Sequence, residues 1–268
     1  MRRTRLRRVP VVTDPTHPDW RCLVDDEGRT LARFAYGHRD GRPIADLVET
    51  EAGVAAVADR MVRELPGWKV AGAPALGEAL VDRGARPTRH VHVHSRDLTA
   101  NPAGAPRSPL PPGITIGPLD RPASELAPLY ESAYPPGHVD WTYTGPPRDY
   151  EHDLAGILDG PLAGPRLPIG RLALDARHRP AGVLIVTRLE GEPPFGGPWV
   201  AELFRRPGDD VRGAGRALLE SGLHAATQEG YPALGLAVTD GNPAQRLYQE
   251  LGFERILSSL VVVLNRGA

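Results

Sequence analysis

A chain of 268 residues with a formal net charge of −1, 41% hydrophobic and 24% charged residues is long enough for one large domain or two ordinary ones and has the composition of a globular protein. Cys22 is the single cysteine, so a disulfide within the chain and a cysteine-based zinc site are excluded. No apolar run approaches the ~20 residues of a membrane span, and no membrane partner is expected.

The chain starts MRRTRLRRVPVV. Arg2, Arg3, Arg5, Arg7 and Arg8 carry no interleaved aromatic residues and read as a solvated end, so no nucleic-acid partner is expected. No apolar stretch of a secretory leader precedes Asp14, which makes the cytoplasm the expected compartment. The runs RCLVDD, TLARFAYGH and PIADLVET are separated by breaks at Glu27-Gly28 and Arg39-Asp40-Gly41, the pattern of an antiparallel meander. Val54, Val57, Met61, Val62 and Leu65 recur at helical spacing and predict a helix. WKVAGAP then reads as a strand, PALGEALVDRG as a short helix and RHVHVHSRDL as a last strand. On that strand His90, His92 and His94 share one face and Val91 and Val93 the other. Histidines two apart can ligate zinc. No neighbouring carboxylate or cysteine completes a set, so the expectation is no metal, with valines inward and histidines in water.

Residues 99–112, TANPAGAPRSPLPP, are dense in proline and alanine and read as an extended linker. GITIGPL predicts a strand and Ala123 to Ala133 a helix, broken at Tyr134-Pro135-Pro136. The loop GHVDWTYTGPPRDY follows, then a helix near Tyr150 to Leu158, the hairpin RLALDARHRPAGVLIVTRLEG and the strand PWVAELFRR. That strand runs into PGDDVRGAG and a helix, then ALGLAV, a helix opening at Asn242, and strands near Ile256 and Leu260 to Leu264.

Gly213 and Gly215 let a backbone approach a bulky anion with no Cβ in the way, and the helix beginning there offers N–H groups and the positive end of its dipole. The third glycine of a dinucleotide fingerprint is missing, since position 218 is Leu218, and no Lys-Ser/Thr pair makes a Walker loop. Pro207, the loop Asp210-Val211-Arg212-Gly213-Ala214-Gly215 and the helix NPAQRLYQELGF (Asn242 to Phe253) together resemble the GNAT superfamily of acyl-CoA-dependent N-acetyltransferases. Asp210 stands where that family usually has Gln or Arg, and Ala244 sits one place early. Charge is +4 over residues 1–108 and −5 over the remainder, which suits a cationic substrate of the second half.

The resemblance implies an α/β (α+β) fold: a central mixed, mostly antiparallel sheet flanked by helices, in two tandem GNAT-like lobes similar to the arrangement of mycothiol synthases. Residues 1–98 would be a degenerate lobe, because Thr50-Glu51-Ala52-Gly53-Val54 replaces the phosphate loop and Glu51 would repel pyrophosphate. A glyoxalase- or ferredoxin-like arrangement of this segment is also compatible with its pattern. Residues 99–112 would be the linker and 113–268 the catalytic domain. The resemblance further implies acetyl-CoA as cosubstrate, held by Phe204, Arg205, Val211, Arg212, Gly213, Ala214, Gly215, Arg216 and Asn242. Glu202 would be the general base and Tyr248 the proton donor to the departing thiolate. Asp140, Trp141 and Tyr143 would line the site of a small-molecule amine or peptide acceptor. A homodimer is among the assemblies allowed, and a non-catalytic acyl-CoA-binding protein is the competing reading.

Overall fold

The computed structural model describes residues 11–39, 41–140, 148–160 and 162–266; the basic run at the start lies outside them. Two compact units divide the chain, one of residues 1–92 with 257–268 and the other of residues 93–256.

In the first unit β1 (Val11–Thr13), β2 (Trp20–Val24), β3 (Thr30–Arg39) and β4 (Arg42–Thr50) form the antiparallel meander. Next come α1 (Val54–Glu64), β5 (Lys69–Gly72), α2 (Pro74–Val81) and β6 (Arg86–Asp97), whose residues from Val93 on belong to the second unit. The helical spacing of α1 buries Val57, Ala58 and Met61 against Leu23, Phe34, Val70 and Leu80. β4 and β5 run parallel through Ile44↔Lys69, Ala45↔Val70 and Val48↔Gly72. Leu47, at a positive φ of 51°, takes up the irregularity so that pairing resumes at Val48. This order, with a four-stranded meander before the first helix, is not the βαββαβ order of a ferredoxin-like domain.

Two local expectations are corrected. His92 and His94 are buried (4% and 2% exposed) while Val91 and Val93 are half-buried. The His92 imidazole can go inside because a ring nitrogen finds a polar partner, Ser258 Oγ at 2.9 Å from His92 Nδ1. The two strands expected after Phe253 are one, β12 (Glu254–Val263), whose Leu260 to Val263 pair antiparallel with β5.

The second unit contains β7 (Thr115–Pro118), α3 (Ala123–Ala133), α4 (Tyr150–Leu158), β8 (Arg171–Leu174), β9 (Pro180–Leu189), β10 (Gly197–Arg205), α5 (Ala214–Gln228), β11 (Ala233–Thr239) and α6 (Ala244–Glu250). Its strands lie in the order β11-β10-β9-β8-β7. They are antiparallel except for the β10–β11 pair. The alternation of β9 builds both faces. Leu184 and Val186 pack under α5 with Leu218, Leu219 and Leu223. Val183 and Ile185 pack under α3 and α4 with Leu126, Tyr130, Leu154 and Leu158. Among the described residues no helix is long and apolar enough to cross a membrane.

Helix α5 sits close to the sheet because glycines face it. A Cβ on Gly222 would lie 2.3 Å from Leu184 Cδ2, and one on Gly182 2.9 Å from Leu218 Cδ1. Gly222→Leu should therefore destabilise the protein by about 1–3 kcal/mol through overpacking, read as a lower urea midpoint; an unchanged midpoint would contradict this seating. The proline- and alanine-rich segment is pinned along the same helix rather than spanning freely. Glu220 accepts from Ser108 Oγ (2.7 Å) and from the amides of Ser108 and Arg107 (3.0 and 3.1 Å), and Thr227 Oγ1 accepts from the Ala103 amide at 3.0 Å.

Candidate active site

The start of α5 is an uncapped helix end. Gly213 is its N-cap at φ 95°, a left-handed conformation that favours glycine, and no side chain caps the first turn. An α-helix leaves its first amides without intrahelical partners, so those of Gly215 and Arg216 point out of the helix. A Cβ on Gly213 or Gly215 would meet nothing within 4 Å, so the cradle in front of these amides is open. The loop feeding it is braced by its own arginines. Arg205 Nη1 donates to the carbonyls of Arg206 (2.9 Å) and Gly208 (3.1 Å). Arg206 joins Asp175 at 3.0 Å and also Asp210, so the acid in place of the family's Gln or Arg is neutralised within the loop. Arg216 pairs with Glu250, which also takes Arg246 at 2.9 Å. Arg212 is exposed and in no ion pair among the described residues. Val211 is fully buried and Ala214 packs beneath the turn.

Beside this cradle two strands part. β10 and β11 pair only through Trp199↔Gly235 and Val200↔Leu236, which leaves the β10 edge from Ala201 to Arg205 unpaired on the β11 side. The parting coincides with a bulge between Val200 and Glu202 opposite β9. Val200 and Leu203 pack toward α5, whereas Ala201 and Phe204 pack toward α3. An unbroken strand would put Glu202 on the Val200 face. The extra residue brings Ala201 and Glu202 to the α3 face together, and bulges re-aim side chains in this way. Phe204 spends its ring in that core, 4.9 Å from the ring of Tyr130, so only its backbone borders the gap.

Glu202 is half-buried and accepts two phenols, Tyr130 Oη at 3.0 Å on Oε1 and Tyr134 Oη at 2.8 Å on Oε2. Burial pushes its carboxyl above the usual glutamate range, and Asp140 adds to the rise. The two phenols and Arg148 oppose it. Tyr248 is 7% exposed and packs edge-on to Phe253, with ring centroids 5.9 Å apart. Burial, then the charges of Glu202 and Asp140, push its phenol well up, so it carries its proton at neutral pH and lies within electrostatic reach of both carboxylates.

Asp140 is tied to the end of β11 and the start of α6. It accepts from Thr239 Oγ1 and, at 2.7 Å, from Asn242 Nδ2. Asn242 Oδ1 meanwhile accepts from the amide of Ala244, the first residue of α6, at 2.8 Å. Both ends of the Asn242 side-chain amide are used, and the backbone is engaged as well: the Asn242 N–H donates to the Thr239 carbonyl at 3.1 Å and its carbonyl accepts from the Gln245 amide at 3.0 Å. Trp141 and Tyr143 lie outside the described residues. Three side chains at Glu202 were not read from the sequence: Tyr130, Tyr134 and Arg148. The signal for the first two was their spacing of four on one helix face, in register with Leu126. Arg148 had no local signal.

The corresponding parts of the first unit differ at each point. Glu51 is held by Arg33 Nε at 2.5 Å, Gly53 before α1 has an ordinary negative φ of −57°, and β4 stays paired with β5 to Val48↔Gly72. No gap opens there of the kind between β10 and β11.

Residues 196–253 match the Acetyltransferase (GNAT) family, the span that holds Glu202, the glycine turn and Tyr248. Among solved structures, the chain resembles a GCN5-related N-acetyltransferase from Sphaerobacter thermophilus, with TM-score 0.64 and 18% identity, covering 93% of this chain and 82% of that one. It also resembles a tandem GNAT protein from the clavulanic acid biosynthesis pathway, with TM-score 0.53 and 14% identity over 93% and 83% of the two chains. A GCN5-related N-acetyltransferase from Kribbella flavida gives TM-score 0.51 and 15% identity over 93% and 88%. These likenesses establish the fold. No curated protein matches the chain in sequence.

Proposed function

We propose, from the premise that residues 196–253 form a GNAT acetyltransferase-family domain within a GNAT fold, that this protein transfers an acetyl group from acetyl-CoA to a primary amine by direct attack. The observation that carries this reading is the meeting of three features where β10 and β11 part. They are the open glycine turn on an uncapped helix, the carboxylate of Glu202, and the protonated phenol of Tyr248. The residues fit acetyl-CoA. A pyrophosphate suits the amides of Gly213, Gly215 and Arg216, with Arg212 adding a charge-assisted contact. The unpaired edge from Ala201 to Arg205 has backbone groups to offer the amides of a pantetheine arm.

Acetyl-CoA supplies the thioester and a thiolate leaving group; the chain's own residues handle the protons. An amine is a cation at neutral pH and must lose a proton before it attacks. Glu202 accepts that proton, directly or through one water. Its two bonded oxygens keep further lone pairs for this, because a carboxylate has about four acceptor positions. Tyr248 gives its proton to the departing sulfur. Asp140 and Glu202 together make the site negative, which favours a cationic acceptor. The first unit is a degenerate lobe on this reading, its turn neutralised by the Glu51–Arg33 pair and its strands unparted. The expected working compartment is the cytoplasm.

Tyr248→Phe tests the reading. The ring keeps its packing on Phe253, so acetyl-CoA affinity by calorimetry should be unchanged while turnover falls about 10²–10⁴-fold. Full turnover in the variant would remove Tyr248 from the mechanism. Equal losses of affinity and rate would make it a binding residue.

A further inference from the structure

Glu202 stands at one end of a chain of polar contacts that the transfer reaction itself does not require. Asp153 Oδ2 takes Arg148 Nε at 2.6 Å, and Arg148 Nη2 donates to Tyr130 Oη at 3.1 Å. Tyr130 donates in turn to Glu202 Oε1, and Tyr134 donates independently to Oε2. The guanidinium also lies over two rings, 5.2 Å from the centroid of Tyr130 and 5.3 Å from that of Tyr150. The Tyr130 and Tyr134 rings meet edge-on at 5.2 Å. Apart from Asp153, each member is therefore held by at least two others, and both carboxylate oxygens are occupied by donors from α3 and the residue that closes it.

We propose that Tyr130, Tyr134 and Arg148 are positioning residues that fix the orientation of the Glu202 carboxylate and hold it in its charged form, a role that rests on the reading of Glu202 as the base. Two phenols donating to one carboxylate favour its ionised state, because a protonated carboxyl has fewer acceptor sites for them. Burial, followed by the charge of Glu202, pushes both phenols well up, so they remain donors across the working pH range. A phenol that accepts from a guanidinium becomes a stronger donor, as hydrogen bonds in a chain polarise one another, and this is the part Arg148 plays through Tyr130. The groups facing Glu202 are Tyr130 from α3, Tyr134 just after it, Asp140 and Arg148 from the segment before α4, and Tyr248 from α6. Of these only Asp140 pushes its carboxyl further up. The cluster thus offsets part of the rise that burial imposes, and the bulge on β10 is what delivers the carboxylate to it.

The test uses Tyr134→Phe, Tyr130→Phe and Arg148→Met in the full chain, with two readouts. In the first, the acid limb of kcat/KM for thiol release should move to higher pH in each variant, by about 1–2 pH units for a lost phenol. Arg148→Lys should move it less than Arg148→Met. In the second, the Glu202 carboxyl is followed by carbon-13 NMR of glutamate-labelled protein, assigned by its loss in Glu202→Gln, and should titrate at correspondingly higher pH. The Phe variants keep both rings in place, so the fold is preserved. An unmoved carboxyl titration, or a rate lowered evenly at every pH with the acid limb in place, would overturn the proposal. A shifted titration in a protein that acetylates no amine would uphold the cluster and remove the base reading, so the two can fail separately.

Discussion

Glu202→Gln should lower turnover by about 10²–10⁴-fold, the usual worth of a positioned general base, while acetyl-CoA affinity and the fold are retained. Glutamine has nearly the same shape and can still accept one phenol, so packing in the α3 face changes little. The wild-type pH profile carries the same information. Only the ionised carboxylate can take a proton, and burial raises its pKa. The rate should thus fall with decreasing pH at a higher pH than an ordinary glutamate would give, and the glutamine variant should lose that limb. Stability runs the other way. The folded state holds the Glu202 proton to higher pH than the unfolded chain, so this group's contribution to stability declines as pH rises between the unfolded and folded values. Urea unfolding should accordingly show Glu202→Gln gaining on the wild type as pH rises through that window. A variant with full turnover would remove Glu202 from the chemistry.

Gly215→Glu should cost acetyl-CoA affinity about a hundredfold or more, since it puts a bulky carboxylate in front of two amides that, on the proposed reading, would each give the pyrophosphate a charge-assisted contact. This position separates binding from folding better than Gly213. Gly213 sits at φ 95°, so any side chain there strains the turn itself. A Cβ on Gly215, in contrast, meets nothing within 4 Å and needs no unusual backbone. Calorimetry on the folded variant is the check, and unchanged affinity would place the cosubstrate elsewhere.

Much of this arrangement was legible in the sequence because it is local. The helix from Val54 to Leu65 shows in its apolar spacing, the end of the helix at 123–133 in its proline break, and the glycine turn in two residues at the mouth of a helix. What was not legible depends on pairing across the sheet. Nothing in PWVAELFRR announces the bulge that turns Glu202 onto the α3 face, because its extra residue is defined only opposite β9. The burial of His92 follows from Ser258, 166 positions away in the chain. Residues 99–112 look like a linker because their anchors, Glu220 and Thr227, are on a helix more than a hundred positions later. The terminal strand carries the alternation of any strand and does not declare β5 as its neighbour. Tyr130 and Tyr134 fell outside the sequence reading for a further reason: a buried tyrosine four residues from another looks like core until the acceptor of its hydroxyl is known.

The most direct measurement of the central claim is thiol release from acetyl-CoA by the wild-type protein and by Glu202→Gln across a panel of primary amines, with the amines analysed by mass spectrometry. The result predicted is amine-dependent release with a matching acetylated amine, present in the wild type and largely lost in the variant. Acetyl-CoA that binds the wild type yet releases no thiol above the uncatalysed rate with any amine would contradict the claim and make the protein an acyl-CoA-binding module.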